Sequence, residues 1–178
     1  MKYEKNTLYD KNGEFLVSTW IEPIMKEHAK LVTMNGGHIL EFGFGLGIFS
    51  RQVQNFEVES HTIVENDPEI YESLLRFAEF YPNVIPVFSD WWSFESEIKY
   101  DGIFYDTESR GFELPNYIHK WSKKGTIISW FSPARKEISY LKDFTDEFIE
   151  LPIEIPEFTI YDVVERDTYY MPFKIFIE

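Results

Sequence analysis

The stretch "ILEFGFGLG", from Ile39 to Gly47, runs an apolar strand into an acid and three alternating glycines. Without a Cβ, Gly43, Gly45 and Gly47 let the backbone take positive φ angles and let a ligand approach it closely. The "GIFSRQVQNF" that follows has helical spacing, so the unit reads as strand, tight turn, helix. In an open α/β sheet, that unit sets a ligand over the carboxyl ends of the strands, beside a helix N-terminus.

The rest of the chain alternates in the same way, as expected of a parallel sheet covered by helices. "STWIEPIMKEHAKLVTMN" reads as a helix capped by Ser18 or Thr19, with Pro23 in its first turns and "NGG" as its end. "HILEF", "ESHTIVE", "NVIPVF", "DGIFYD" and "GTIISWF" read as successive strands. "DPEIYESLLRFAEFY" is a helix capped by Asp67 with Pro68 first, and "LPNYIHKWSKK" is a short helix closed by Gly125. Near the end, "FTIYDVVE" and "MPFKIFIE" are joined by "RDTYY", too short for a parallel crossover, so they are expected to pair as an antiparallel hairpin. "LPIEIPE" holds two prolines, which confine it to an edge strand or a loop. With 178 residues and neither repeat nor linker, residues 1–178 are expected to form one domain, with 1–34 as an N-terminal segment and helix covering the site.

Charge narrows the partners. Lys and Arg number 17 against 31 Asp and Glu, a formal net charge of −14, which disfavours nucleic acid and anionic membrane and favours cationic small molecules or basic peptides. The same excess also serves plain solubility. No apolar run approaches a membrane span and no signal peptide opens the chain, so a soluble, cytoplasmic protein is expected, as a monomer or homodimer. There is no cysteine, hence neither disulfide nor thiolate metal site, and His28, His38, His61 and His119 lack ligand spacing. No metal is expected.

The glycine turn can be typed further. A dinucleotide fingerprint would need Gly or Ala at residue 48 or 50, where this chain has Ile48 and Ser50. Glu65 ends the second strand about twenty residues beyond the first glycine, where a carboxylate can accept from both ribose hydroxyls. Ser89, Asp90 and Trp91 follow the third strand, placed to read an adenine edge and face; of Trp91 and Trp92, one flanks the base while the other packs. Glu41 can receive an ammonium group or orient the glycine loop, and Phe44 can shield a bound group from water. Together with Asn66, these residues form the candidate cofactor set: Glu41, Gly43, Gly45, Gly47, Glu65, Asn66, Asp90 and Trp91. Trp121 and Trp130 read as core.

In "GGHILEFGFGLGI", "HTIVENDPEI", "NVIPVFSDWW", "DGIFYDT" and "DTYYMPFKIF", the sequence resembles the class I S-adenosylmethionine-dependent methyltransferases. More narrowly, it is similar to guanidinoacetate N-methyltransferase and the type IV protein-arginine methyltransferases, over nearly the whole chain. The resemblance implies a three-layer, doubly wound, Rossmann-like α/β fold. Its mostly parallel sheet has the strand order 3-2-1-4-5-7-6 with strand 7 antiparallel. It implies S-adenosylmethionine as cofactor, leaving S-adenosylhomocysteine, and it assigns Asp106, at the end of "DGIFYD", to the acceptor's guanidino group.

Departures fall on the acceptor side. The family's second guanidino-binding acid follows a tryptophan in the N-terminal helix; here Trp20 is present, Ile21 stands where the acid belongs, and Glu22 comes one residue later. A one-residue shift on a helix is about 100° of rotation. Either Glu22 takes the role through a shifted helix start, or the site lacks that acid. Glu108, after the Asp106–Thr107 pair, either replaces it or faces water. Pro133 offers no N–H where the family receives a substrate carboxylate, so the acceptor is expected to lack one unless Arg135 or Arg110 binds it. Tyr169 and Tyr170 match paired aromatics near the substrate, or pack the hairpin. The candidate catalytic residues are therefore Asp106, Glu22 and Glu108, and the substrate residues Trp20, Thr107 and Tyr170.

The leading expectation is methyl transfer to a small guanidino or amino compound, since the short N-terminal segment leaves little room for a protein-docking module. A protein-arginine acceptor comes second. A non-catalytic S-adenosylmethionine-binding subunit is the third reading.

Overall fold

The computed structural model describes residues 2–4, 7–9, 15–107, 113–132, 144–145, 147–154 and 167–177. Three short strands, β1 (Lys2–Glu4), β2 (Thr7–Tyr9) and β3 (Phe15–Ser18), form an antiparallel sheet in that order. A 3-10 turn at Thr19–Ile21 then leads into helix α1 (Glu22–Val32). The expected cap is thus corrected: Ser18 belongs to β3, Thr19 to the 3-10 turn, and the helix starts from Ile21 with no side-chain cap. Ile24, Met25, His28, Ala29 and Val32 give α1 one buried face at helical spacing.

The main sheet contains β4 (His38–Phe42), β5 (Ser60–Glu65), β6 (Val84–Phe88), β7 (Tyr100–Tyr105), β8 (Ser122–Trp130), β9 (Phe148–Leu151) and β10 (Tyr169–Ile175). Their order is β6-β5-β4-β7-β8-β10-β9, which is 3-2-1-4-5-7-6 as expected. β4 to β8 pair in parallel, and β10 runs against β8 and β9. Among the described residues the outer neighbour of β10 is Phe148–Leu151; Tyr169 and Tyr170, expected in the turn, belong to β10 and pair with Leu151 and Glu150. The expected first strand of the hairpin, residues 158–165, lies outside the described residues.

One face of the sheet carries Ile39, Glu41, His61, Ile63, Phe104 and Ser129. It is covered by α1, α2 (Ile48–Val53) and α3 (Pro68–Ala78), with α3 capped by Asp67, whose Oδ1 accepts from the N–H groups of Glu69 and Ile70. The opposite face buries Leu40, Phe42, Val64, Ile103, Tyr105, Ile128 and Trp130 beneath Trp91, Phe94, Leu114 and Trp121. The helix expected at 114–124 is only α4 (Leu114–Tyr117) plus a 3-10 turn at Ile118–Lys120; β8 already begins at Ser122, so Gly125 lies inside a strand irregularity and closes no helix. Trp121 and Trp130 are core, as expected. No described helix is long and apolar enough to cross a membrane.

Candidate active site

The parallel strands end on one edge of the sheet, and there the chain turns through 43–47, 66–67, 89–90, 106–107 and 131–132. Gly43 has φ 91°, and a Cβ on it would collide with the backbone carbonyl of Asp106. The absent side chain is what lets the loop after β7 lie against the glycine turn. Asp106 N–H donates to Phe42 O at 2.9 Å, which fixes that approach. Gly47, at φ 65°, starts α2.

Glu65 is only 7% exposed, yet it carries a carboxylate. Its Oε2 accepts from Phe44 N–H at 3.0 Å, and its Oε1 accepts from the N–H groups of Asn66 and Asp67, both at 2.8 Å. Two oxygens offer about four acceptor positions, so Oε2 keeps room for a hydroxyl at the crevice. Asn66 Nδ2 donates to Asp90 Oδ1 at 2.9 Å, clasping the loops after β5 and β6. This cluster brings Gly43, Gly45, Gly47, Glu65, Asn66 and Asp90 together.

Glu41, Trp91 and Phe44 face elsewhere. Glu41 is 1% exposed beneath the turn, with Ser50 Oγ 2.8 Å from both its oxygens and His61 Nε2 2.9 Å from Oε2. The His61 contact is short but not aligned for a linear hydrogen bond. Burial raises the Glu41 pKa; His61 and Ser50 oppose the rise. Of its two expected roles, orienting the glycine loop by holding α2 beneath the turn fits these contacts. Trp91 is 3% exposed, boxed in by Phe42, Tyr105, Tyr117 and Trp121, so it packs and Trp92 is the half-buried member of the pair. Phe44 turns into the core against Phe77.

On the acceptor side, Asp106 and Thr107 are half-buried at the end of β7. Thr107 Oγ1 donates to Tyr105 OH at 2.7 Å; burial, with added repulsion from Asp106 and Glu113, pushes the Tyr105 pKa up to about 12. Tyr105 therefore stays a neutral phenol. Ile21 is buried at 4% exposure, filling with hydrocarbon the position where an acid was sought. Glu22 is exposed and accepts from Gln52 Nε2 of α2 at 3.3 Å. Trp20 packs beside α1, with its indole N–H buried and unpartnered among the described residues. Tyr169 is buried against Phe131 and His28, while Tyr170 is half-buried. Glu108, Arg110, Pro133 and Arg135 lie outside the described residues.

Sequence reasoning missed His28 and His61 because isolated histidines carry no spacing signal. His28 is fully buried, its Nδ1 2.8 Å from Ser129 Oγ and its Nε2 3.1 Å from Tyr169 OH, and burial lowers its pKa to about 3. The unfolded chain therefore binds a proton that the native state refuses. This contribution to stability is present above pH ~6.5 and is lost as pH falls toward about 3. Urea unfolding should show the wild type losing up to about 1.4 kcal/mol per pH unit below ~6.5 relative to His28→Gln. Parallel pH slopes in the two proteins would contradict a neutral, buried His28.

The sheet order, the glycine turn and the acid ending β5 define the fold of class I S-adenosylmethionine-dependent methyltransferases. Among solved structures, the N-methyltransferase NodS from Bradyrhizobium japonicum WM9 aligns with TM-score 0.67 and 12% identity, over 89% of this chain and 97% of that one. A methyltransferase from Thiobacillus denitrificans, in complex with S-adenosyl-L-homocysteine, aligns with TM-score 0.50 and 17% identity over 61% and 46%. Residues 3–121 match the family described as Guanidinoacetate N-methyltransferase, and the chain belongs to that family. Protein arginine N-methyltransferase 2 of Cryptococcus neoformans var. neoformans serotype D (strain B-3501A) is 30% identical over 139 residues, covering 61% of this chain. The chain spans 38% of that relative's length.

The residues present fit the family's cofactor. The glycine turn, packed at Gly43 against the loop after β7, sits beside Glu65, whose Oε2 retains acceptor capacity. Among the described residues, no group of three or more His, Asp or Glu could hold a metal ion.

Proposed function

We propose that this chain transfers a methyl group from S-adenosylmethionine to the nitrogen of a small guanidino or amino compound, with Asp106 anchoring that nitrogen. The observation that carries the reading is the contact between the two loops: Asp106 follows β7 with its backbone lying directly against Gly43 and Phe42 at the cofactor turn. A carboxylate borne on that backbone is suited to stand between cofactor and acceptor. Bound on the turn, S-adenosylmethionine supplies a methyl group already activated by its sulfonium.

The chain's own residues do the rest. Glu65 would take one ribose hydroxyl through Oε2, and Asn66 and Asp90 would present their polar edges to the base. Asp106 accepts N–H groups of the acceptor, turns its lone pair toward the methyl carbon and stabilises the positive charge that grows there. The N–C bond forms as the C–S bond breaks, and the proton leaves the nitrogen through Asp106 to water. Tyr105, neutral and bonded by Thr107, offers no competing base.

A second reading, a protein-arginine acceptor, is favoured by the name of the Cryptococcus relative. Calorimetry with S-adenosylmethionine, followed by methyl transfer to amines, guanidines and arginine-containing peptides, separates the readings. Turnover of a free guanidine or amine is the expected result. Turnover of peptides alone selects the second reading, and tight cofactor binding with no acceptor methylated selects a non-catalytic binding subunit.

A further inference from the structure

Three side chains, one backbone amide and one backbone carbonyl from three separate parts of the fold form a single hydrogen-bond chain. Ser132 N–H donates to Tyr169 OH at 3.1 Å, and Tyr169 OH lies 3.1 Å from His28 Nε2. On the other side of the ring, His28 Nδ1 lies 2.8 Å from Ser129 Oγ, which donates to Pro172 O at 2.6 Å. The ends fix every proton between them. An amide N–H can only donate and a carbonyl can only accept. Ser129, having given its proton to Pro172 O, must accept from His28, which puts the ring proton on Nδ1. Bare Nε2 then accepts from Tyr169 O–H, whose oxygen already accepts from Ser132.

The places joined all adjoin β7, the strand that leads into Asp106. Ser132 follows β8, the parallel neighbour of β7, and Phe131 N–H donates to Tyr105 O at 3.1 Å, one residue before Asp106. Tyr169 opens β10 beside Tyr170, and His28 lies on α1, the helix that follows Trp20 and Ile21. His28 also packs against Phe104 of β7, ring centroids 4.9 Å apart.

We propose that His28 is a positioning residue. Through the chain Ser132–Tyr169–His28–Ser129–Pro172 it holds α1, the loop after β8 and the start of β10 in one register, and so sets the acceptor wall facing Asp106 while leaving cofactor binding untouched. This rests on the methyltransferase reading above. The loss of a link loosens that wall without removing any group that touches the cofactor.

Two substitutions separate positioning from packing. Tyr169→Phe keeps the ring beside Phe131 and deletes the oxygen, while His28→Asn keeps a donor for Ser129 and removes the acceptor for Tyr169. The probes are S-adenosylhomocysteine, agmatine, a guanidine without a carboxylate, and an arginine-containing peptide. In both variants the Kd for S-adenosylhomocysteine should stay within about twofold, and KM for the acceptor that wild type methylates should rise about tenfold. The double variant should be no worse than the worse single one, because both cut the same chain. Nitrogen-15 NMR of His28 in the full-length protein should show Nδ1 protonated and Nε2 bare between about pH 8 and 5. The opposite tautomer overturns the proton order. Unchanged KM with only a lowered Tm overturns the positioning role. A wild type that methylates neither acceptor overturns the methyltransferase reading and the acceptor role together, and the NMR result still decides the proton order.

Discussion

Asp106→Asn is expected to lower methyl transfer by about 10²–10⁴-fold, the range for losing a positioned acid–base group, with S-adenosylhomocysteine bound as in wild type. The asymmetry follows from how the residue is built in. Its backbone does the structural work, with the N–H donating to Phe42 O and the carbonyl lying against Gly43, and the substitution changes neither. What changes is the charge. An amide cannot offer two anionic oxygens to a cationic nitrogen, and its own NH₂ would meet the acceptor's N–H groups as a like donor. The position where a second acid was sought is filled by Ile21, and Glu22 is bonded to Gln52. Steady-state rates with calorimetry in parallel check this. A tenfold or greater loss of cofactor affinity would move Asp106 to the other side of the crevice.

Glu65→Ala should weaken S-adenosylhomocysteine binding by about 1–3 kcal/mol, roughly 5- to 150-fold, and lower Tm as well. Both effects come from one carboxylate. It gathers the N–H groups of Phe44, Asn66 and Asp67 and thereby ties the glycine turn to the loop after β5. Alanine leaves those three donors to whatever water can reach them and frees the turn to drift from the ligand. Glu65→Gln should bind poorly too, since one end of the amide would present a donor to donors. Unchanged affinity in both variants would sink the assignment of Glu65 to the cofactor.

What the sequence reveals here, and what it hides, divides by physical range. Glycines before a helix, an acid ending a strand, and Asp67 ahead of Pro68 are local signals, and all sit where expected. The acid at 41 and the aromatic at 91 share the same local positions, yet their side chains turn inward, because Ser50 and His61 satisfy one and an aromatic cluster encloses the other. Such choices depend on partners that spacing does not reveal. The start of the last strand was misread for a similar reason: Tyr169 and Tyr170 look like turn residues beside Asp167, but their partners in β9 draw them into the strand. His28 is the extreme case, since its meaning lies in contacts 101 and 141 residues away.

The sharpest test is mass spectrometry of free guanidines and amines after incubation with S-adenosylmethionine carrying a deuterated methyl group, for wild type and Asp106→Asn side by side. The expected result is label on an acceptor nitrogen with wild type and essentially none with the variant, although both bind cofactor. Equal labelling by the two proteins, or no labelled nitrogen with wild type under saturating cofactor, would contradict a methyltransferase that works through Asp106.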